Sequence, residues 1–409
     1  MVANFYYIYA VNQPLMENLT KRIQSIDVLR GIIMAIMALD HSRDYFHGPA
    51  MVQDPTDLET TTPILFFTRW ITHFCAPTFV FLSGTSIYLQ SLRKTKKELS
   101  WFLLTRGLWL VVMELTIVGF GWSFNIFFNF FFTQVIWAIG WSMVIMSALI
   151  WGRYWLLAAL GVVITLCHNY IDYQTITDPD IGLIANLLIM TDFKVYTVGP
   201  VGFMFAYAIL PWTGIMLLGY ALGRWFNTTL VTPQHRQKVL ISIGLLLCTL
   251  FVLLRFSNGY GDPKPWVPQN TTAKTIMAFF NVTKYPPSLM YACMTLGPGL
   301  LILAALEGIK NKLTDIFNIF GRVPFFYYIL HVYVIHLVCV IMFYAQGFET
   351  ADNFKPGFIS FGFRPKSDFG VSLGVTYLMW IGVLIICYFP SRWYNKYKST
   401  HKKWWLSYI

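Results

Sequence analysis

The chain has 409 residues, of which 56% are apolar and 18% aromatic, while only 12% are charged, where a soluble domain averages about 25%. A mean hydropathy of +0.55 would leave a water-soluble fold of this size with a large exposed apolar surface, which a bilayer accepts without penalty. These values exclude a soluble globular fold, a disordered or collagen-like chain and a disulfide scaffold; the six cysteines lie in apolar runs with no CxxC pair and no histidine at zinc-ligand spacing.

An all-α, polytopic membrane protein is the fold class that remains, since a crossing helix needs about 20 mostly apolar residues. Ten such runs fall at 26–46, 64–91, 101–120, 132–151, 154–171, 199–223, 238–255, 286–306, 320–344 and 370–390. Their connectors alternate in charge. One set carries Lys21 and Arg22, then Arg93, Lys94, Lys96 and Lys97, then Arg153, then Arg224, Arg236 and Lys238, then Lys310 and Lys312, then the tail. The other carries Asp54, Asp57 and Glu59, an uncharged stretch at 121–131, then Asp172, Asp178, Asp180 and Asp192, then Asp262, then Glu349, Asp352 and Asp368. The positive-inside rule puts both termini in the cytoplasm, which requires an even number of spans and agrees with ten. The formal charge of +11 then reads as contact with membrane lipids and not as a nucleic-acid footprint. The domains expected are a cytoplasmic N-terminal segment at 1–22, a single transmembrane domain at 23–391 and a basic cytoplasmic tail at 392–409. Met1–Pro14 lacks the basic region and cleavage site of a signal peptide, and Met16 is an alternative start to Met1.

The first run is the most informative, because ionisable groups within a span face a cavity or a partner. Arg30 and His41 are eleven residues apart, which at 3.6 residues per turn places them on one helix face about 16 Å apart along the axis. Asp27 and Asp44 lie about a turn beyond either end. A cation suited to phosphate or a thioester oxygen stands at the inner end, and an imidazole able to act as general base at the outer end. The alternative is that Arg30 snorkels to headgroups while Asp40 and His41 sit at the interface.

The run Arg22-Ile23-Gln24-Ser25-Ile26-Asp27-Val28-Leu29-Arg30-Gly31, with Phe79-Val80-Phe81-Leu82-Ser83-Gly84-Thr85-Ser86, resembles the heparan-alpha-glucosaminide N-acetyltransferase catalytic family. The segments Asn281-Val282-Thr283-Lys284-Tyr285-Pro286-Pro287-Ser288, Phe320-Gly321-Arg322-Val323-Pro324, Leu330-His331 and Trp404-Trp405-Leu406-Ser407-Tyr408 resemble its bacterial branch. The resemblance implies a multi-span acetyltransferase in the bacterial inner membrane. Its donor would be cytoplasmic acetyl-CoA, and its acceptor an amino or hydroxyl group of a sugar or glycan on the far side. The chain is also similar to the acyltransferase-3 group, marked by Arg, ten residues and His, here Arg30 and His41. The lysosomal relatives carry Asn at the position of His41 and a later His before Ala-Pro, for which His47-Gly48-Pro49 is the nearest counterpart. His41 and His47 are therefore the two candidates for the base, with His41 favoured and Asp40 or Asp44 expected to orient its imidazole. A transient acetyl-His is the covalent variant.

Arg69 and His73, four apart, share a helix face; Arg69 is assigned to the acetyl-CoA path and His73 to the acceptor, with a structural arginine the alternative. Arg322 is a second candidate for the CoA phosphates, with headgroup contact the alternative. Lys284 and Tyr285 are candidates for acceptor contact or for a purely architectural turn. Arg106 and Glu114 read as chance or as an internal ion pair, with a lining role the alternative. His331 and His336 are five residues apart, hence about 140° around a helix, which argues against a shared metal, and no metal is expected. The rival reading is a transporter or flippase using the same charges as a path. The acceptor's identity and the oligomeric state are left open, and an oligomer is compatible with the sequence.

Overall fold

The computed structural model describes residues 22–171, 179–191, 193–354 and 361–408. The expectations for residues 1–21 and those for Asp172, Asp178 and Asp192 lie outside the described residues. The protein is mostly helical. Helix α1 spans Gln24–Phe46, α2 Pro63–Thr72 and α3 Cys75–Ser91. Helix α4, Lys96–Met113, passes through one π-helical stretch, Glu114–Val118, into Gly119–Ser123. Next come α5 (Val135–Leu149), α6 (Tyr154–Cys167), α7 (Pro179–Leu188) and α8 (Ile209–Gly223). Helices α9 (Pro233–Ser257), α10 (Thr272–Phe280), α11 (Leu289–Ala305), α12 (Lys312–Arg322), α13 (Pro324–Ala345) and α14 (Leu373–Thr400) complete the bundle.

Among the described residues, five helices are long and apolar enough to cross a bilayer: Pro63–Ser91 taken through its break, Lys96–Ser123, Pro233–Ser257, Pro324–Ala345 and Leu373–Thr400. Helices α5, α6 and α11 are apolar but shorter. Helix α1 is too charged for that group, yet it is enclosed on nearly all sides, with Met34 and Ala38 fully buried. It packs against α12, α13, α14, α3 and α2, the position of a helix buried all round.

Three expectations change in detail. The apolar run at 199–223 is helical only from Ile209, because Val201–Phe205 pairs as strand β3 in a small sheet. Strand β1 (Phe130–Thr133) lies parallel to it, and β2 (Val195–Val198) antiparallel, in the order β1-β3-β2, with Phe131 and Tyr196 both opposite Phe203. The chain is therefore not purely α. The run at 320–344 is two helices, divided at Val323, since the residue before Pro324 is disfavoured in helical geometry. Finally, α14 continues to Thr400, past the expected edge at 390, and the tail folds back as a short turn at Trp404–Ser407.

Between α2 and α3 the helix breaks at His73 and Phe74. Pro77 has no N–H to return to the His73 carbonyl, and the Tyr291 hydroxyl donates to that oxygen instead at 2.7 Å. Close contact seats α1 against α12: a Cβ on Gly31 would lie 1.8 Å from the Phe317 carbonyl oxygen, and one on Gly321 1.7 Å from that of Asp27. Only glycine permits this approach, and overpacking of this kind typically costs about 1–3 kcal/mol. Gly382 on α14 has no atom within 4 Å of such a Cβ. Gly321→Ala is expected to lower the thermal midpoint of the detergent-solubilised protein by several degrees (~2–4 °C per kcal/mol) while Gly382→Ala leaves it unchanged or raised; equal midpoints for the two variants would contradict this packing.

Candidate functional site

Both ends of α1 carry a polar cluster. At the first, Arg30 reaches Asp27 Oδ1 and the Gly321 carbonyl at 3.3 Å each and Ser86 Oγ at 3.0 Å. Arg22 pairs with the same Asp27 carboxylate. These groups border a polar cleft of about 390 Å³ to which Gln90, Arg93 and Asn227 also contribute. Arg30, Ser86 and Gln90 border a second cavity too, of about 200 Å³, whose walls include Phe79, Ile139, Met143 and Phe325. Arg30 thus stands between the cleft and a second pocket whose walls are mostly apolar, with Arg106, Ser83 and Ser407 also bordering it. Arg322 feels the charges of Arg22 and Asp27, and its Nε is buried without a hydrogen bond.

At the other end, His41 Nδ1 lies 2.8 Å from His331 Nε2 on α13, and His331 Nδ1 lies 2.9 Å from the Tyr327 carbonyl. Trp122 stands edge-on to the His41 ring at 4.5 Å and Tyr328 at 6.2 Å. No hydrogen bond joins the Asp40 or Asp44 carboxylate to the His41 ring. Asp40 accepts from Arg69 at 2.5 Å, Thr72 at 2.9 Å and Arg43 at 3.1 Å, and Asp44 accepts from Arg43 at 2.6 Å. The expectation that a carboxylate orients the imidazole is corrected by this geometry, because the Asp40 side chain is turned onto Arg69 and Arg43 and the partner of His41 is another histidine.

Arg69 consequently lies at the His41 end, ion-paired to Asp40. Lys284 joins it there. The Lys284 ammonium sits over the rings of Tyr285 at 4.8 Å and Tyr207 at 5.7 Å, and the charges of Arg69 and Lys284 both act on Asp40 and His41. His73 packs edge-on against Tyr291 at 5.6 Å and feels Arg69, Lys284 and Asp40. His73, Lys284 and Tyr285, singled out separately in the sequence, are thereby brought together with Asp40 and His41.

His47 is placed apart. It caps the end of α1, its backbone bridges to Val371, and its carbonyl accepts from Arg364 Nη2 at 2.7 Å. No hydrogen bond or ring contact joins it to His41 among the described residues. Of the readings open for Arg106 and Glu114, the ion pair is absent among the described residues: Arg106 donates to the Ser407 carbonyl at 2.5 Å and borders the second cavity, and Glu114 accepts from the Gln134 N–H at 2.6 Å. His331 and His336 do face different partners, the latter lying 2.7 Å from the Gly121 carbonyl and 2.8 Å from that of Gly362. No group of three or more His, Cys, Asp or Glu among the described residues is placed to hold a metal ion.

Sequence reading missed His331 as a partner of His41, since 290 residues separate them and His331 was weighed only against its own helix. The signal was present in the apolar run itself, where a histidine needs an internal partner.

Several apolar helices around a helix with paired charges at both ends define an integral membrane protein with polar groups enclosed in its bundle. Residues 22–252 match the profile of the heparan-alpha-glucosaminide N-acetyltransferase catalytic family, and the chain belongs to that family. That family and the apolar helices place the chain among membrane N-acetyltransferases. No curated protein matches the chain. The matched segment carries α1 to most of α9, whereas Lys284, Tyr285 and His331 lie beyond it.

Burial, with the Arg43 and Arg364 guanidiniums nearby, pushes the His47 imidazole below its ordinary value of 6.5. The unfolded chain then takes up a proton that the fold resists, so the contribution to stability is complete above 6.5 and is lost as pH falls toward the lowered value. The native protein is expected to lose more thermal stability between about pH 7 and about pH 5.5 than His47→Gln does. Identical losses would show that His47 is not held neutral.

Proposed function

We propose that the protein transfers acetyl from cytoplasmic acetyl-CoA to an amino or hydroxyl group of a sugar on the far side of a bacterial inner membrane. Ten spans, with the 1–22 and 392–409 segments cytoplasmic and the 23–391 domain carrying the chemistry, fit the alternation of connector charge. The observation that carries the reading is the placement on one helix of Arg30, at a junction of polar cleft and apolar pocket, and His41, three turns further on and held by a second imidazole.

In this reading the CoA phosphates lie in the cleft against Arg30, with Arg22 and Arg322 close by, and the pantetheine arm enters the apolar pocket. The acceptor rests among Tyr285, His73 and Lys284. His41 removes a proton as the acceptor nitrogen or oxygen attacks the thioester carbonyl. The new bond to the acetyl carbon forms, the C–S bond breaks, and the proton passes to the departing CoA sulfur. Asp40 and Asp44 hold Arg69 and Arg43 in place, and Arg69 and Lys284 supply positive charge where the thioester oxygen becomes negative. His41 is preferred to His47 because it is held by a second imidazole on the helix that also carries Arg30, and because the charges of Arg69 and Lys284 act on it.

Calorimetry and turnover test this together. Arg30→Ala is expected to weaken acetyl-CoA binding by about tenfold or more, the size of a lost charged hydrogen bond. His41→Ala should bind acetyl-CoA normally and lose about 100-fold or more in kcat, with His47→Ala remaining active. Full transfer by His41→Ala, or inactivity of His47→Ala with binding intact, would overturn the assignment. A folded protein that does not bind acetyl-CoA would overturn the function.

A further inference from the structure

With both rings neutral, the His41–His331 contact has one arrangement of protons that satisfies both of its hydrogen bonds. The Tyr327 carbonyl is an acceptor and nothing else, so His331 Nδ1, at 2.9 Å from it, carries a hydrogen and donates. A neutral His331 then presents a lone pair at Nε2. His41 Nδ1 lies 2.8 Å from that atom and must be the donor. The ring centroids are 5.0 Å apart with the planes within 10° of parallel. That separation equals the bond plus the two centroid-to-nitrogen spans, so the rings meet edge to edge in nearly one plane, as an in-plane N–H···N bond requires.

We infer that His331 is a positioning residue that holds His41 in the tautomer with hydrogen on Nδ1 and a lone pair on Nε2, the nitrogen directed away from His331. The inference rests on the reading of His41 as the base. His331 takes the orienting place that a carboxylate fills in many hydrolases, but as a neutral acceptor. It accepts from Nδ1 before and after Nε2 gains the substrate proton, so the imidazolium keeps its partner throughout. Full burial of His331, with Tyr328 across its other side at 5.5 Å and Tyr327 at 5.1 Å, leaves the ring little freedom to turn away. The nearby carboxylates are thereby free to serve Arg43 and Arg69.

Two variants separate the role from packing. His331→Leu keeps much of the volume and removes the acceptor, whereas His331→Gln retains an acceptor oxygen. Nitrogen NMR of histidine-labelled protein in lipid, with His41 assigned by its loss in His41→Gln, reads the tautomer without any need for turnover. The native protein should show His41 protonated at Nδ1 alone. The Leu variant should show both tautomers and a fall in kcat of about 10- to 100-fold, the usual penalty for losing an orienting partner, with KM for acetyl-CoA unchanged. The Gln variant should recover most of that rate. A native His41 protonated at Nε2, or a Leu variant that turns over like the native protein, would overturn the inference. Undiminished transfer by His41→Ala would instead remove the base and with it any part for His331 in turnover, while the tautomer measurement stands on its own.

Discussion

A helix with this many ionisable groups can lie at the centre of a membrane protein only if the groups satisfy one another. Arg30 with Asp27 at one end, and Asp40 with Arg43 and Arg69 at the other, meet that condition within the bundle. Much of the architecture follows. Helix α12 must approach closely enough for the Gly321 carbonyl to accept from Arg30, which is why glycines face each other there. Helix α2 must bring Arg69 and Thr72 onto Asp40, and the break before α3 lets the chain do so while Tyr291 satisfies the freed His73 carbonyl. Breaking one ion pair at the centre would leave its partner buried and uncompensated, a loss of about 3–5 kcal/mol.

The same pairing produces the division of labour along α1. Polar groups at the first end border an open cleft, and those at the second gather cations, tyrosines and an imidazole dyad. Between them lies a stretch with Met34 and Met37, about three turns long and apolar. A donor with a charged head and a long neutral arm matches that distribution, and so does an acceptor rich in hydroxyls, since the partly buried Tyr285 ring and the Lys284 ammonium offer a ring face and donors. Membership of an N-acetyltransferase family and the layout of the site thus point the same way.

Much of this was legible in the sequence wherever the information is local. The ten apolar runs each contain a helix, and the shared face of Arg30 and His41 follows from helical periodicity alone. Distant pairing was not legible. His331 and Arg69 acquire their partners only through contacts made across hundreds or tens of residues, so neither the His41–His331 contact nor the Arg69–Asp40 pair could be read from a local pattern. The small sheet escaped notice for a related reason: Phe130–Thr133 and Val201–Phe205 are short apolar segments that composition cannot distinguish from helix, and pairing between them decides the matter. The division at Val323 was locally encoded in Pro324 and was overridden by the continuous apolar run.

The central claim is that one ligand spans the two ends of α1, and a cryo-electron microscopy map of the protein in lipid nanodiscs with acetyl-CoA tests it directly. The account predicts the nucleotide in the cleft bordered by Arg22 and Arg30, the arm in the pocket bordered by Phe79 and Phe325, and the thioester carbonyl within about 4 Å of His41 Nε2 or of a sugar bound beside it. Density for acetyl-CoA on another face of the bundle, or with its thioester beside His47, would contradict the account.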